Sequence, residues 1–147
     1  MTVRSSGTHP IHIEQDVVLA RQLTRKLAQE CGMRLIDLTK MVTAVSELAR
    51  NTMVYGGGGD MDWEILEESG RTGLRLVFRD EGPGIPEEEK DKIFERFYRI
   101  GNESVRKTKG TGLGLYLCKK IAHDHNAYIS VTNLSPTGSN FTIHFKI

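Results

Sequence analysis

Apolar residues recur at helical spacing in two neighbouring stretches near the start of the chain. The first stretch opens at Asp16, which we expect to cap a helix, and Gly32 is placed to end it. The second opens near Asp37 and repeats apolar residues at i, i+3, i+4 and i+7 positions as far as Tyr55. Glycines at 56–59 follow, and because glycine is costly inside a helix, the second helix is predicted to end there.

Alternation of apolar and polar residues predicts strands on either side of a turn. Ile11 and Ile13 indicate the start of a strand before the first helix. The alternating runs 61–65 and 74–78 flank a turn-rich segment at 69–73. An antiparallel hairpin is therefore the simplest arrangement of these two runs.

The second half of the chain mixes helical and strand patterns. A short helix is expected over about 87–97, with acidic residues at its start where the helix dipole favours them. A polar, basic and patternless stretch follows, and then a helix over about 113–124. The runs 128–132 and 140–146 predict a closing hairpin. With no internal repeat and no linker, this order of elements favours one α+β domain.

Composition narrows the class of protein but does not point to any particular reaction or ligand. The chain has 147 residues, 38% hydrophobic and 27% charged, with a formal net charge of +1, which suits one domain over 1–147. The balanced charge gives no case for nucleic acid or a membrane surface as partner. No apolar run reaches the ~20 residues of a membrane-spanning helix, and no secretory signal is expected. Cys31 and Cys118 lack metal-type spacing, so reduced thiols in a cytoplasmic protein are expected.

A carboxylate and a carboxamide share one side of the second helix. Glu47 and Asn51 are four residues apart, so their side chains lie one above the other. Such a pair can hold a hydrated Mg²⁺ through one oxygen and activate a hydroxyl group through the other. A solvated helix face is the alternative interpretation, because this spacing is common.

Two glycines follow the second strand of the first hairpin. Asp80 stands at the end of that strand, and Gly82 and Gly84 flank a proline. Backbone without side chains can approach a flat ligand closely, and an acidic side chain can accept a hydrogen bond from an exocyclic amine. The same residue types also form tight turns, so a simple turn is an equal alternative.

A third glycine-rich segment, at 110–114, precedes the helix near the end of the chain. Its small residues leave backbone N–H groups uncovered at the positive end of the helix dipole, which suits a phosphate. The segment is not a dinucleotide fingerprint, because no strand precedes it. It is not a P-loop either, since the chain contains no Gly-Lys-Ser/Thr.

The order and spacing of these three motifs resemble the Bergerat ATP-binding fold. That family includes sensor histidine kinases, anti-sigma and switch serine kinases, gyrase and the Hsp90 chaperones. The motifs are Glu-x-x-x-Asn on a helix, Asp-x-Gly-x-Gly after a strand, and Gly-x-Gly-x-Gly before a helix. The resemblance implies an α+β fold, a two-layer α/β sandwich whose mixed, mostly antiparallel sheet carries helices on one face.

The two halves of the chain resemble different branches of this family. Residues of about 15–86 resemble switch serine/threonine kinases of bacterial stress-response modules, which act on small partner proteins. Residues of about 87–147 are similar to histidine kinase catalytic domains, including an F-box at 94–97 that switch kinases generally lack. A histidine kinase would carry Lys where this chain has Val54. The chain thus reads as a mosaic, either a divergent natural protein or an engineered chimera.

Carried over residue by residue, the resemblance implies a site for ATP or ADP with Mg²⁺. Glu47 would be the general base, Asn51 would hold the metal, and Asp80 would bind the adenine amino group. The pocket wall would comprise Gly82, Gly84 and Ile85. The phosphates would meet Gly110, Thr111, Gly112, Leu113 and Gly114, under a lid over about 99–111 that carries Arg106, Lys107 and Lys109. For those three basic residues, solubility of a mobile loop is an equal alternative.

Three functions follow from the resemblance. The leading one is a Mg-ATP-dependent protein kinase of the anti-sigma or switch type, transferring the γ-phosphoryl group to Ser or Thr of a small, STAS-like regulatory protein. The first alternative is an isolated histidine kinase catalytic domain acting on a separate phosphoacceptor domain. The second is an ATP-binding module with little or no turnover, as expected of a chimera. His123 lies near a helix end, where no phosphoacceptor belongs, so any transfer must be to another protein.

Overall fold

Five strands form one sheet in the computed structural model, which describes residues 2–95, 114–125, 127–134 and 137–147. The order across the sheet is β1-β2-β3-β5-β4, and every pairing between described strands is antiparallel. The strands are β1 (Thr2–Ile11), β2 (Gly59–Glu68), β3 (Arg71–Asp80), β4 (Tyr128–Asn133) and β5 (Ser139–Lys146). The predicted α+β class is confirmed. No parallel pair occurs among the described strands, although the resemblance allowed a mixed sheet.

Three α-helices within the described ranges pack against this sheet and against one another. They are α1 (Glu14–Glu30), α2 (Leu35–Val54) and α3 (Gly114–Asp124). The middle helix, α2, contacts both of the others as well as β1, β2 and β3. None of the helices in the described ranges is long and apolar enough to cross a membrane.

The two faces of the sheet differ in polarity. The face toward the helices carries buried apolar side chains, namely Met61, Ile65, Leu74, Leu76, Phe78, Phe141, Ile143 and Phe145. On the opposite face, Arg75 pairs with Glu64, and Arg79 pairs with Asp62 and with Asp60. A shift of the register by one residue would turn these ions inward and the apolar set outward, so the pattern fixes the register.

The first helix starts slightly earlier than its sequence pattern indicates. Ile13 occupies the N-cap position, and Asp16 lies within the first turn. The Asp16 carboxylate still closes the helix start, because it accepts the backbone N–H groups of His12 at 2.9 Å and Ile13 at 3.1 Å. These two bonds lower the pKa of Asp16. Gly32 follows the helix with φ +88°, and it ends α1 as predicted.

The second helix carries the predicted apolar stripe into the core. Its buried residues are Leu38, Met41, Ala44, Val45, Leu48, Ala49 and Thr52. At its end, the backbone N–H groups of Tyr55 and Gly56 both donate to the carbonyl of Asn51, at 3.0 and 3.1 Å. The helix therefore stops where the glycine-rich segment begins, as predicted.

The N-terminal strand is longer than the predicted one. β1 covers ten residues and ends at Ile11, so Ile13 lies outside it. Its polar side chains bond β2 instead of forming an apolar stripe: Arg4 pairs with Glu67 at 3.1 Å and Thr8 donates to Asp62 at 2.8 Å. Because most of β1 is polar and exposed, hydrophobic alternation does not reveal it.

The helix predicted over 87–97 does not form in its described part. Two single 3-10 turns, Glu87–Glu89 and Lys92–Phe94, stand there instead. The buried residues Ile93 and Phe94 are adjacent in sequence, so they give no apolar face at helical spacing. Both predicted hairpins are confirmed, and the first closes through a two-residue turn at Ser69 and Gly70.

Candidate active site

The carboxylate of Asp80 lies buried at the end of β3 and is held by two neighbouring segments. Asp80 is only 3% exposed. Its Oδ1 accepts the backbone N–H of Gly82 at 3.0 Å and that of Ser139 at 3.1 Å. Its Oδ2 accepts the hydroxyl of Ser139. Ser139 begins β5, so the sheet itself orients this carboxylate.

The hydrogen bonds of Asp80 leave one acceptor position for a ligand. A carboxylate offers about four acceptor positions, two on each oxygen. Both positions of Oδ1 are used by N–H groups, whereas among the described residues Oδ2 bonds only Ser139. Asp80 can therefore accept one further hydrogen bond, through Oδ2, from a ligand donor such as an exocyclic amine.

Glycines surround Asp80 because side chains would collide with it. A Cβ at Gly56 would stand 2.3 Å from the Asp80 Cβ, and one at Gly138 would stand 2.1 Å from the Asp80 carbonyl oxygen. A Cβ at Gly82 would lie 2.9 Å from the Cα of Gly56. Such distances are far inside van der Waals contact, so these three positions require glycine for close packing around the carboxylate.

The glycine cluster at 56–59 joins α2 to the sheet beside Asp80. Gly57 and Gly58 have φ values of +73° and +105°, which favour glycine. Gly59 pairs with Asp80 in the β2–β3 ladder, and a Cβ there would meet the Arg79 carbonyl at 1.8 Å. The cluster thus brings the end of the Glu47–Asn51 helix directly against Asp80.

Glu47 and Asn51 are half-buried on α2, next to its apolar stripe. Within the described ranges, the buried amide nitrogen of Asn51 has no hydrogen-bond partner. Which of the two amide atoms is oxygen is an assignment made from such bonding. The amide nitrogen of Asn51 is therefore not used by the described part of the fold, and the carboxamide can serve a ligand.

The start of α3 lies against Glu47. A Cβ at Gly114 would stand 2.6 Å from Oε2 of Glu47. Four residues further along α3, the buried Cys118 donates from its thiol to the Ala44 carbonyl at 3.5 Å. Burial, and then the Glu47 carboxylate, raise the pKa of this thiol. Gly114, the last residue of the third glycine-rich segment, thus lies against the predicted general base.

The residues present fit Mg²⁺ held together with a ligand's phosphates. Mg²⁺ keeps several waters and takes only one or two protein ligands when phosphates supply the rest. The described residues contain no group of three or more His, Cys, Asp or Glu that could hold a metal ion alone. The unused carboxamide of Asn51 would supply one oxygen ligand.

Tyr55 lines the same region and was not singled out from the sequence pattern. Burial raises the pKa of its hydroxyl, and the carboxylates of Asp80 and Glu89 raise it further. The side chain therefore stays neutral beside these two acids. In the sequence, its position directly after α2 and next to the glycine cluster could have indicated that Tyr55 lies at the site.

Several predicted site residues lie outside the described ranges. They are Arg106, Lys107, Lys109, Gly110, Thr111, Gly112 and Leu113, together with the second half of the F-box, residues 96 and 97. Phe94 of the F-box is described and buried, and its ring packs edge-on against Phe141 with centroids 6.4 Å apart. Lys119 of α3 lies 5.3 Å from the same ring. Phe94 therefore belongs to the core.

Comparison with known proteins gives related kinases. Serine/threonine-protein kinase RsbT of Bacillus subtilis is 44% identical over 111 residues, which are 76% of this chain and 77% of that protein. Sensor-like histidine kinase SenX3 of Mycolicibacterium smegmatis is 35% identical over 113 residues, 76% of this chain. This chain spans only 29% of the length of SenX3.

Solved structures give the same fold. The mycobacterial sensor histidine kinase MprB superposes with a TM-score of 0.64 at 22% identity, covering 95% of this chain and 97% of that one. The catalytic domain of histidine kinase ThkA gives 0.57 at 24% identity, covering 95% of both chains. The family profile described as histidine kinase-, DNA gyrase B-, and HSP90-like ATPase matches residues 36–147. The chain therefore belongs to this ATPase family, and RsbT and SenX3 are both protein kinases.

Proposed function

We propose that the protein is a Mg-ATP-dependent protein kinase of the switch or anti-sigma type. In this proposal it transfers the γ-phosphoryl group of ATP to Ser or Thr of a small, STAS-like regulatory protein. The contact between Glu47 and the start of α3 carries the proposal, because it sets a carboxylate beside the expected phosphate end of the site. The 44% identity to a serine/threonine-protein kinase favours a hydroxyl acceptor.

Asp80 would select the base of the nucleotide. The free acceptor position on its Oδ2 matches the exocyclic amine of adenine, whereas a guanine would present a carbonyl oxygen there. Burial strengthens this discrimination, because an acceptor facing an acceptor leaves both unsatisfied in a site of low polarity. ATP is accordingly preferred over GTP.

Glu47 and Asn51 would act at the other end of the nucleotide. Asn51 would bind Mg²⁺, which when bound neutralises phosphate charge. Glu47 would take the proton of the acceptor hydroxyl as that oxygen bonds the γ-phosphorus and the bond to the β-phosphate oxygen breaks, which releases ADP. Phosphoryl transfer depends mainly on positioning and charge neutralisation, so these groups supply most of what it needs.

The test is transfer from γ-labelled ATP to a serine-bearing STAS domain in the presence of Mg²⁺. The wild type should label the partner with acid-stable phosphate, and Glu47→Gln should lower the rate at least about 100-fold, the usual worth of a general base. Asp62→Asn, on the outer face of the sheet, is the matched control. Absence of transfer by a wild-type protein that binds ATP would contradict the kinase assignment.

A second candidate function is supported by the 35% identity to a sensor-like histidine kinase. In it the acceptor is a histidine on a separate phosphoacceptor domain. The acid stability of the phosphorylated partner distinguishes the two candidates, because phosphohistidine is labile in acid and phosphoserine is stable. An ATP-binding module without turnover is the third candidate, and tight ATP binding with no transfer to either acceptor would favour it.

A further inference from the structure

Asn133, the last residue of β4, makes two hydrogen bonds to the backbone of Ile85. Its Oδ1 accepts the Ile85 N–H at 2.9 Å, and its Nδ2 donates to the Ile85 carbonyl at 2.9 Å. A carboxamide offers an acceptor and a donor side by side, as the backbone does in a strand ladder. Asn133 therefore extends the edge strand onto a loop that has no strand of its own.

This loop, residues 81–86, connects Asp80 to the first 3-10 turn. Gly84 has φ +80°, and a Cβ there would lie 3.3 Å from both the Asn133 Oδ1 and the Gly138 carbonyl oxygen. Ile85 is 2% exposed, so its side chain anchors the loop in the core. β3 thus fixes the start of the loop, and Asn133 fixes its far end.

We propose that Asn133 is a positioning residue for the base of the bound nucleotide. By holding Ile85, it sets the distance between the 82–85 segment and Asp80, and so the width of the slot that receives adenine. Asn133 acts through Ile85 and does not itself contact the base. This inference rests on the proposed ATP binding, which the closing experiment tests separately.

The experiment compares three variants with the wild type. Asn133→Leu keeps the approximate size and loses both hydrogen bonds, whereas Asn133→Asp keeps the acceptor for the Ile85 N–H and loses the donor. Thr132→Ala changes the exposed neighbour on the same strand and serves as the control. Calorimetry gives the Kd of ATP and of GTP for each protein, and NMR gives the hydrogen-exchange rate of the Ile85 amide.

We expect Asn133→Leu to raise the Kd of ATP at least about fivefold, the worth of one ordinary hydrogen bond. The preference for ATP over GTP should fall by a similar factor, and the Ile85 amide should exchange at least about fivefold faster. Asn133→Asp should also bind ATP more weakly than the wild type, because a carboxylate oxygen would then face the Ile85 carbonyl without a proton between them. Thr132→Ala should match the wild type in all three measurements.

Two results would overturn the inference. One is an Asn133→Leu protein that binds ATP as tightly as the wild type. The other is an equal loss of ATP and GTP affinity together with a lower Tm, which a purely structural role predicts. If Asn133→Leu does not fold, the ATP and GTP affinities of Asn133→Asp and the exchange rate of its Ile85 amide test the inference by the same criteria. A wild-type protein that binds no ATP would instead remove the proposed function itself, and this inference with it.

Discussion

Oε2 of Glu47 lies 2.6 Å from the position that a Cβ at Gly114 would occupy. These two residues come from different helices, α2 and α3, and each stands where its own helix approaches the site. The contact joins the predicted general base to the predicted phosphate segment. The Glu47 carboxylate can therefore occupy its position only because residue 114 is a glycine.

Gly114→Ala should slow phosphoryl transfer without lowering the stability of the fold. Gly114 is the first residue of α3, where alanine has no clear advantage over glycine, and the atom that the new Cβ meets is the end of a flexible side chain, so the Tm should change little. The displaced carboxylate should nevertheless slow phosphoryl transfer at least about tenfold, with a smaller change in the Kd of ATP. Lys120→Ala, exposed on α3, is the control. An unchanged transfer rate would show that the Glu47–Gly114 contact has no catalytic role.

Asn51→Ala should remove the effect of Mg²⁺ on nucleotide binding at little cost to the fold. The amide nitrogen of Asn51 has no hydrogen-bond partner within the described residues, so truncation leaves no partner group unsatisfied there. Calorimetric titrations of ATP with and without Mg²⁺ should differ for the wild type and agree within about twofold for Asn51→Ala. Lys40→Ala, exposed on the same helix, should behave like the wild type. A metal effect that survives in Asn51→Ala would place the metal elsewhere.

Gly56→Ala and Gly57→Ala form a matched pair beside Asp80. The first introduces a Cβ 2.3 Å from that of Asp80, and overpacking of this kind costs about 1–3 kcal/mol. The second meets no atom of the described residues within 4 Å but has φ +73°, which costs about 1–2 kcal/mol of backbone strain. Thermal unfolding should show both losses, and only Gly56→Ala should also weaken ATP binding, at least about tenfold. Equal ATP affinities for the two variants would mean that Gly56 does not set the position of Asp80.

Local features of this fold could be predicted from the sequence because they depend on spacing alone. The i, i+4 relation puts Glu47 and Asn51 on one side of α2, and the strand end puts Asp80 before its glycine loop. The glycine cluster at 56–59 was predicted only to end a helix, and its contact with Asp80 was not. That contact depends on how α2 returns to the sheet, which no local pattern encodes.

The partners of Asp80 and Ile85 come from distant parts of the chain. Ser139 is 59 residues from Asp80, and Asn133 is 48 residues from Ile85. Both depend on β5 lying beside β3, a pairing that a hairpin pattern does not specify. Most of strand β1 and the 3-10 turns were missed for a different reason. The residues of β1 before Ile11 are mostly polar and exposed, and the 3-10 turns are too short to show an apolar periodicity.

Titration of ATP with Mg²⁺ into the wild type and into Asp80→Asn tests the account most directly. Asparagine keeps the shape of the side chain, but an amide cannot accept all the bonds from Gly82, Ser139 and an adenine amine that the carboxylate can. The account predicts that the wild type binds ATP and that Asp80→Asn binds it at least about tenfold more weakly, which is about 1.4 kcal/mol. Asp62→Asn, on the outer face of the sheet, should bind like the wild type. Equal affinities for the wild type and Asp80→Asn, or no binding by the wild type, would contradict the account.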